Sequence, residues 1–499
     1  MILIAIVAFG AVVRFAHIGT NSLEVDEIWS IEMANGRGSV HDHLPDGIIR
    51  FDQLDLTNLT NAAPWWQIWT HMDGYPHPPI YYLALRWWMD LFGPGPGATR
   101  SLSAVISLLA IFVFFDVCRI LHGTRIALLA AGLMAFSGAQ IDFAQLTRNY
   151  GMMMLVGLGC ADALVRIERL GATKRRLISL VLLLTALPLT HYYSIGAIGA
   201  LAIYTIFRLH GKTRKHTMAA FIFAGLLAAV VWGPEYLSQV RTLPSTNPPY
   251  IQDNAPGIVG RTFWRVINAP LQLLTGDVLA YFLPTAVEVL FAIVIIVVPI
   301  FRLRRRRDLL LWVLWILGTL GVSAGEDLIH QWKTSEVIRF IFLAAPAVYA
   351  LLASIDWPRR RIIRDALPLA ALIVLLLIDI QRLQNGTAPK QDIQQNASIL
   401  NSDAKPNDLL VFIGNDPWSS PGMVYMDFKY YAPDSRRPWL ILQQPADPAL
   451  QRQLDSFDSM WVFAGDANII SQYLPGWKIS EVVHTRICDI DHLVRSPPN

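Results

Sequence analysis

Cysteine and charge are both scarce in this chain. Three cysteines in 499 residues, Cys118, Cys160 and Cys488, make no disulfide framework. Two of them lie inside apolar runs and read as small hydrophobic residues. Asp, Glu, Lys and Arg supply 16% of the sequence against 54% hydrophobic residues, which argues against a string of soluble domains. The formal charge of +3 carries no suggestion of a nucleic-acid partner. No internal repeat is evident, which counts against transporter folds built from paired, interrupted halves. The opening MILIAIVAFGAVVRFAHIG lacks the basic n-region and small-residue cleavage site of a signal peptide, so it reads as an uncleaved first helix.

Long apolar runs are abundant. Mean hydropathy is +0.39, and 16 Trp and 22 Phe accompany the runs. A bilayer core about 30 Å thick needs roughly 20 residues of helix. Hydropathy predicts about eleven spans, near 1–18, 98–120, 125–145, 149–167, 176–190, 192–208, 217–238, 277–301, 308–325, 337–355 and 362–380. Alternate connections are basic: RILHGTR (119–125), RIERLGATKRR (166–176), RLHGKTRKH (208–216), RLRRRR (302–307) and WPRRRIIR (357–364). With those loops cytoplasmic, the N-terminus is inside and the C-terminus outside. The expected class is a multi-pass α-helical protein of the plasma (inner) membrane.

Two large pieces then face the exterior. The loop 19–97 holds PWWQIWTHM (64–72) and PPIYYLALRWWMDLFG (78–93), whose Trp and Tyr suit helices lying in the interface. The tail 385–499 has β-like runs at 408–414, 460–465 and 476–484 separated by turn signals. It has no glycine-rich phosphate loop and no cysteine–histidine cluster. The expected division is a membrane domain, 1–384, and a small α/β exterior or periplasmic domain, 385–499, with a structural or acceptor-docking role.

Polar residues at the exterior ends of the spans are the candidates for chemistry. NSLEVDEIWSIEMANG (21–36) carries Glu24, Asp26, Glu27 and Glu32 just beyond the first span. Ionised acids there are cheap if solvated and functional if covered. Glu24 and Glu32 fit an ordinary solvated helix, with acids favourable near its N-terminus, and Asp26 is the functional candidate. In GYPHPPIYY (74–82), Pro78–Pro79 holds His77 rigidly before a helix. Arg148, beside Tyr150, suits either headgroup snorkelling or a lipid phosphate. His191 lies between apolar segments, and Lys333 and Arg339 sit at the entrance of a later span. A carboxylate that deprotonates a hydroxyl, with cations to hold phosphate, is the inventory for group transfer from a lipid-linked phosphate.

RFAHIGTNSLEVDEIWS, HPPIYYLALRWWMDLFGPGPGATRSLSAVISLLAIFVFF, RNYGMMMLVGLG and LTHYYSIGA, in that order over roughly residues 10–200, resemble the GT-C glycosyltransferases of family 39. That family includes the protein O-mannosyltransferases and the lipid A aminoarabinose transferases. RFIFLAAPAVYALLA (339–353) resembles a later span of the same family. The resemblance implies a GT-C fold with interfacial helices in the first exterior loop. It implies an inverting transferase with a polyprenyl-phosphate sugar donor and a glycolipid, glycan or protein acceptor. Asp26 would be the general base, with Glu27 supporting it. Arg148, Arg339, Lys333 and His77 would bind the donor phosphate. Tyr81, Tyr82, Tyr150, His191 and Tyr192 would line the substrate pocket.

The chain departs from the family where PHPP stands in place of an acid–Lys–Pro–Pro pattern, with Pro76 at the acid and His77 at the lysine. His77 and His191 remain a candidate pair for a divalent metal ion; alternatively His77 contacts phosphate, its charge set by pH. The rival reading is a lipid or glycan transporter or flippase, for which Asp116 and Glu288 are the notable acids within apolar runs.

Overall fold

The computed structural model describes every residue except 51–55, 73–76, 243–250, 277–283, 356–365, 387–392, 414–419, 464–466, 486–488 and 496–499. Pro76, Cys488 and the basic stretch 357–364 therefore lie outside the described residues. Helices in chain order are α1 (Ile2–Phe15), α2 (Val25–Ala34), α3 (Ile80–Phe92), α4 (Pro96–His122), α5 (Thr124–Phe136), α6 (Gly138–Ala144), α7 (Tyr150–Leu170), α8 (Lys174–Ala186), α9 (Ile195–Arg208) and α10 (Gly211–Thr242). They continue as α11 (Ile258–Thr275), α12 (Thr285–Arg302), α13 (Leu310–His330), α14 (Ile338–Ala353), α15 (Ala366–Asn385), α16 (Ile393–Asp403), α17 (Pro421–Tyr431), α18 (Pro448–Leu454) and α19 (Ala467–Tyr473).

Each of the eleven apolar stretches contains helix. Among the described residues, six helices are long and apolar enough to cross a bilayer, and a seventh span results if α5 and α6, bent by 56°, count as one. The expected eleven is therefore not reproduced by length. α1 and α14 are apolar but shorter, and α8 has only 13 residues. The sequence reading also missed α11, an amphipathic helix whose polar face carries Arg261 and Arg265 and so breaks any continuous apolar run. These two guanidiniums pair with Asp253, and Arg265 also pairs with Asp327 and Glu336.

The bend between α5 and α6 explains a buried arginine. Breaking a helix frees carbonyls that lipid cannot satisfy. Arg14 of α1, wholly buried, donates to the Ala135 carbonyl at 2.7 Å, to Met134 at 3.3 Å and to Ser107 Oγ at 3.0 Å. At the end of α1, Gln145 Nε2 donates to the carbonyls of Val13, Arg14 and Ala16. α1, α4, α5 and α6 are thus joined just below the loop that starts α2.

α3 is 13 residues long, too short to span. It buries Tyr81, Tyr82, Leu85 and Met89 and exposes Trp87, Leu91 and Phe92, an arrangement suited to lying in an interface. The tail builds a six-stranded sheet in the order β1-β3-β2-β4-β6-β5. Its strands are β1 (Ile48–Ile49), β2 (Leu409–Ile413), β3 (Trp439–Leu442), β4 (Ser459–Phe463), β5 (Trp477–Val483) and β6 (Ile490–Arg495). β2 pairs in parallel with β3 and β4, and β6 runs antiparallel to β4 and β5. β1 comes from the first loop and pairs antiparallel with β3. The tail and the loop therefore share one sheet.

Candidate functional site

The site is organised by the first turn of α2. Glu24 is its N-cap, and Glu24 and Glu27 form a reciprocal capping box. Glu27 is wholly buried and accepts from Arg100 Nε at 2.9 Å and Nη2 at 2.6 Å. It also accepts from the backbone N–H of Thr147 at 2.8 Å and of Glu24 at 2.9 Å. Arg100, at the start of α4, further donates to the carbonyls of Ile18, Asn21 and Ser22. Glu27 thus ties α2, α4 and the residue before Arg148 to one point. Its oxygens are consumed by these bonds, so it positions the site and leaves any substrate to other groups.

Asp26, the neighbouring acid, points elsewhere, with its side chain 37% exposed. Arg339 Nη1, from the start of α14, lies 3.2 Å from Asp26 Oδ2, and Arg148 Nη2 lies 3.9 Å from the same oxygen. Arg148 also donates to the Asp26 carbonyl at 3.0 Å, to Ser30 Oγ at 3.2 Å and to His77 Nε2 at 2.8 Å. One exposed carboxylate therefore faces two guanidiniums drawn from distant parts of the chain.

The two histidines join this group. A guanidinium has no acceptor, so His77 Nε2 accepts from Arg148 and the neutral ring carries its proton on Nδ1. The His191 ring lies 5.2 Å from that of His77 and 5.6 Å from that of Tyr150. His191 Nδ1 accepts from the Tyr193 N–H at 3.2 Å, which leaves the proton on Nε2, a buried donor without a partner among the described residues. Burial, with Arg148 and Arg339 nearby, lowers the His191 pKa to about 3. Burial, Arg148, His191 and Arg339 hold His77 well below its ordinary value. Both rings are neutral at neutral pH, and the group presents donors and positive charge, as an anion site requires.

This arrangement does not suit a metal ion. The His77 Nε2 lone pair is taken by Arg148, and a dication would sit against two guanidiniums. Among the described residues no group of three or more His, Cys, Asp and Glu is placed to hold one. The His77–His191 pair is better read as part of the anion site.

Other expected pocket residues are dispersed. Lys333 donates through its backbone N–H to the Ile251 carbonyl, and among the described residues its ammonium has no bond to the Asp26 group. Tyr81 and Tyr82 are wholly buried. The Tyr81 phenol meets Ser103 Oγ at 3.0 Å, and Ser103 donates to the Arg148 carbonyl, so Tyr81 supports the arginine from behind. The Tyr192 phenol turns to α10, donating to Gln239 at 2.6 Å and accepting from Trp232 at 3.0 Å. Tyr150 does join the group, with Arg148 6.0 Å above its ring. Glu32 is a correction of another kind. Expected in solvent, it is buried and bonded to His41 Nδ1 at 2.6 Å and the His41 N–H at 3.0 Å.

Sequence reasoning missed Arg100 and Tyr193. Tyr193 stacks on Phe340, beside Arg339, and donates to Glu326 at 2.6 Å. An arginine at the N-terminal end of α4 was a readable sign that an acid would be nearby.

The depressed histidine has a pH consequence. Unfolded His191 binds a proton below about pH 6.5, whereas the folded residue stays neutral down to its pKa of about 3. The unfolded state then holds more protons, so stability falls as pH drops from about 6.5 toward 3 and is flat above. Thermal melts across that range should show this loss for the wild type and a weaker dependence for His191→Asn.

No known protein-family profile matches the chain, and no curated protein does. Solved structures do. ArnT from Cupriavidus metallidurans bound to undecaprenyl phosphate superposes with a TM-score of 0.56 at 15% identity, over 98% of this chain and 97% of that one. Its apo state gives 0.57 at the same identity and coverage. The oligosaccharyltransferase of Archaeoglobus fulgidus in complex with Zn and sulfate gives 0.49 at 11% identity, over 94% and 70%. The likeness to ArnT is one of fold.

Proposed function

We propose that the chain is an inverting glycosyltransferase that moves a sugar from a polyprenyl-phosphate donor to an acceptor hydroxyl at the exterior face of the membrane. The observation that carries this reading is the convergence of the partly exposed Asp26 carboxylate with Arg339 and Arg148 beside a buried, unpartnered His191 N–H. A phosphate and a hydroxyl nucleophile are the two groups that such a set can serve together. The shared fold with an ArnT structure that holds undecaprenyl phosphate supports a donor of that class.

In the proposed reaction the acceptor oxygen attacks the anomeric carbon while Asp26 takes its proton. The bond from that carbon to the phosphate oxygen breaks, and its electron pair leaves with the polyprenyl phosphate. Arg148, Arg339 and the His191 N–H stabilise the leaving charge. Attack opposite to departure inverts the carbon. Arg339 donates to Asp26; a donor phosphate would compete for both guanidiniums and release the carboxylate to act as base. The acceptor hydroxyl belongs to a glycolipid, a glycan or a protein, and membrane residues 1–384 with the exterior segment 385–499 act as one unit.

The transporter reading has weaker support. Asp116 is engaged by Arg119 and Arg166, an ion-pair set next to a basic connection. The test is purified protein supplied with radiolabelled undecaprenyl-phosphate monosaccharides and a membrane lipid and glycan extract as acceptor. Transfer of label supports the transferase, and its absence with label crossing vesicles supports the transporter. Arg339→Ala should raise the donor concentration for half-maximal rate by about 10- to 100-fold, as expected for a lost charge-assisted hydrogen bond, more than it slows saturated turnover.

A further inference from the structure

Asp427 is one of several buried acids that the mechanism leaves unused. Asp427 lies on α17, in the tail, and α17 packs on α2 and on the 3₁₀ turn Val40–His43. The direction of packing follows from two anchors. At the C-terminal end of α17, the Tyr431 phenol accepts from the Leu23 N–H at 2.6 Å, two residues before α2 begins. At its N-terminal end, Gly422 lies so close to the His41 carbonyl that a Cβ would collide with it. His41 in turn bonds Glu32, near the end of α2. α17 therefore runs antiparallel to α2. Asp427, one turn before Tyr431 and on the same face, comes level with the turns between Asp26 and Glu32.

This carboxyl is 6% exposed, and its Oδ1 is buried without a hydrogen-bond partner among the described residues. A buried ionised carboxylate without compensation is expensive, and the charges acting on it are the acids Asp26 and Glu32. Burial first, and then those two acids, push its pKa well above the ordinary value. The titratable groups across from it are Asp26 and Glu32 on α2 and His41 on the 3₁₀ turn. Its other neighbours, α16, β2 and β3, bring only the exposed Asp403 at the end of α16. The cation of its own helix, Lys429, is bonded to the Pro433 and Ser435 carbonyls.

We infer that Asp427 is a substrate-contacting carboxylic acid by which the tail reaches the site, donating a hydrogen bond to a hydroxyl of the acceptor held at Asp26. A neutral acid can donate as well as accept, which a hydroxyl-bearing acceptor requires, and it adds no negative charge beside the base. This rests on the transferase reading and gives the tail an acceptor-side role, complementary to the arginines on the donor side.

The experiment uses the full-length protein and two variants. Asp427→Asn keeps shape, neutrality and hydrogen bonding; Asp427→Leu keeps burial and removes polarity. With undecaprenyl-phosphate monosaccharide as donor and the membrane extract as acceptor, Asp427→Leu should raise the half-saturating acceptor amount by about tenfold or more. Asp427→Asn should stay near wild type. Binding of undecaprenyl phosphate alone should be unchanged in both. Infrared spectra at pH 7 should show a protonated-acid carbonyl band that Asp427→Asn removes. Unchanged acceptor dependence in Asp427→Leu, equal damage by both variants, parallel loss of undecaprenyl phosphate binding, or identical infrared bands would each overturn the inference. A wild type that shows the band yet transfers no sugar overturns the transferase reading and the acceptor role with it.

Discussion

Asp26→Asn is expected to lower sugar transfer by about 10²- to 10⁴-fold, the usual contribution of a positioned general base, while undecaprenyl phosphate binds at least as tightly as to the wild type. Asparagine keeps the size of aspartate and an oxygen that can accept from Arg339. It cannot take a proton from an attacking hydroxyl. It also withdraws the negative charge that lies 3.2 Å from Arg339 and 3.9 Å from Arg148. A phosphate then meets less competition for both guanidiniums. Transfer by Asp26→Asn at the wild-type rate would remove Asp26 from the mechanism. Transfer lost together with undecaprenyl phosphate binding would mean that the substitution had disordered the arginines.

Glu27→Ala should act on the fold. Removing one member of a buried ion pair strands the other charge and costs about 3–5 kcal/mol. Here Arg100 would lose both of its bonds to the carboxylate, and the N–H groups of Thr147 and Glu24 would lose their acceptor as well. The expected result is a large drop in melting temperature in detergent and poor recovery from membranes. Glu27→Gln, which keeps the volume and one acceptor oxygen, should be milder. Asp26→Asn should melt near wild type. A Glu27→Ala protein as stable as the wild type would show that the Glu27–Arg100 link does not hold α2. The adjacent acids thus separate into a chemical and a structural role, distinguishable by activity against melting.

Much of the helical architecture was legible because a bilayer imposes length and apolarity on a spanning segment. The runs at 98–120, 149–167 and 308–325 became α4, α7 and α13 with ends shifted by a few residues. α11 escaped because arginines on its polar face break the apolar run, and their neutralising acids, Asp253, Asp327 and Glu336, come from other segments. β3 escaped because four residues signal weakly, and β6 because Asp491 and His492 interrupt its apolar pattern. β1 could not be read at all: two residues become a strand only where β3 offers an edge.

The candidate site divides in the same way. Asp26, His77, Arg148, His191 and Arg339 were each readable as polar residues at the ends of apolar runs, and the resemblance to family 39 put the acid first among them. Their proximity was not readable, since it depends on how α2, α7 and α14 pack. Packing also sets Lys333 apart, whose ammonium makes no bond to the group among the described residues, and turns the Tyr81 phenol to Ser103 and the Tyr192 phenol to α10.

The order of residues along the chain was enough to establish a helical membrane protein with acids and cations gathered at span ends, because those properties follow from local composition and from what lipid excludes. Whether a given charge is solvated, paired or buried is not local. Four acids within NSLEVDEIWSIEMANG have four fates: Glu24 caps a helix, Asp26 faces two arginines, Glu27 neutralises Arg100, and Glu32 bonds His41. Partners up to 313 positions away set those fates, because the energy of a charge depends on what the fold brings within a few ångströms of it.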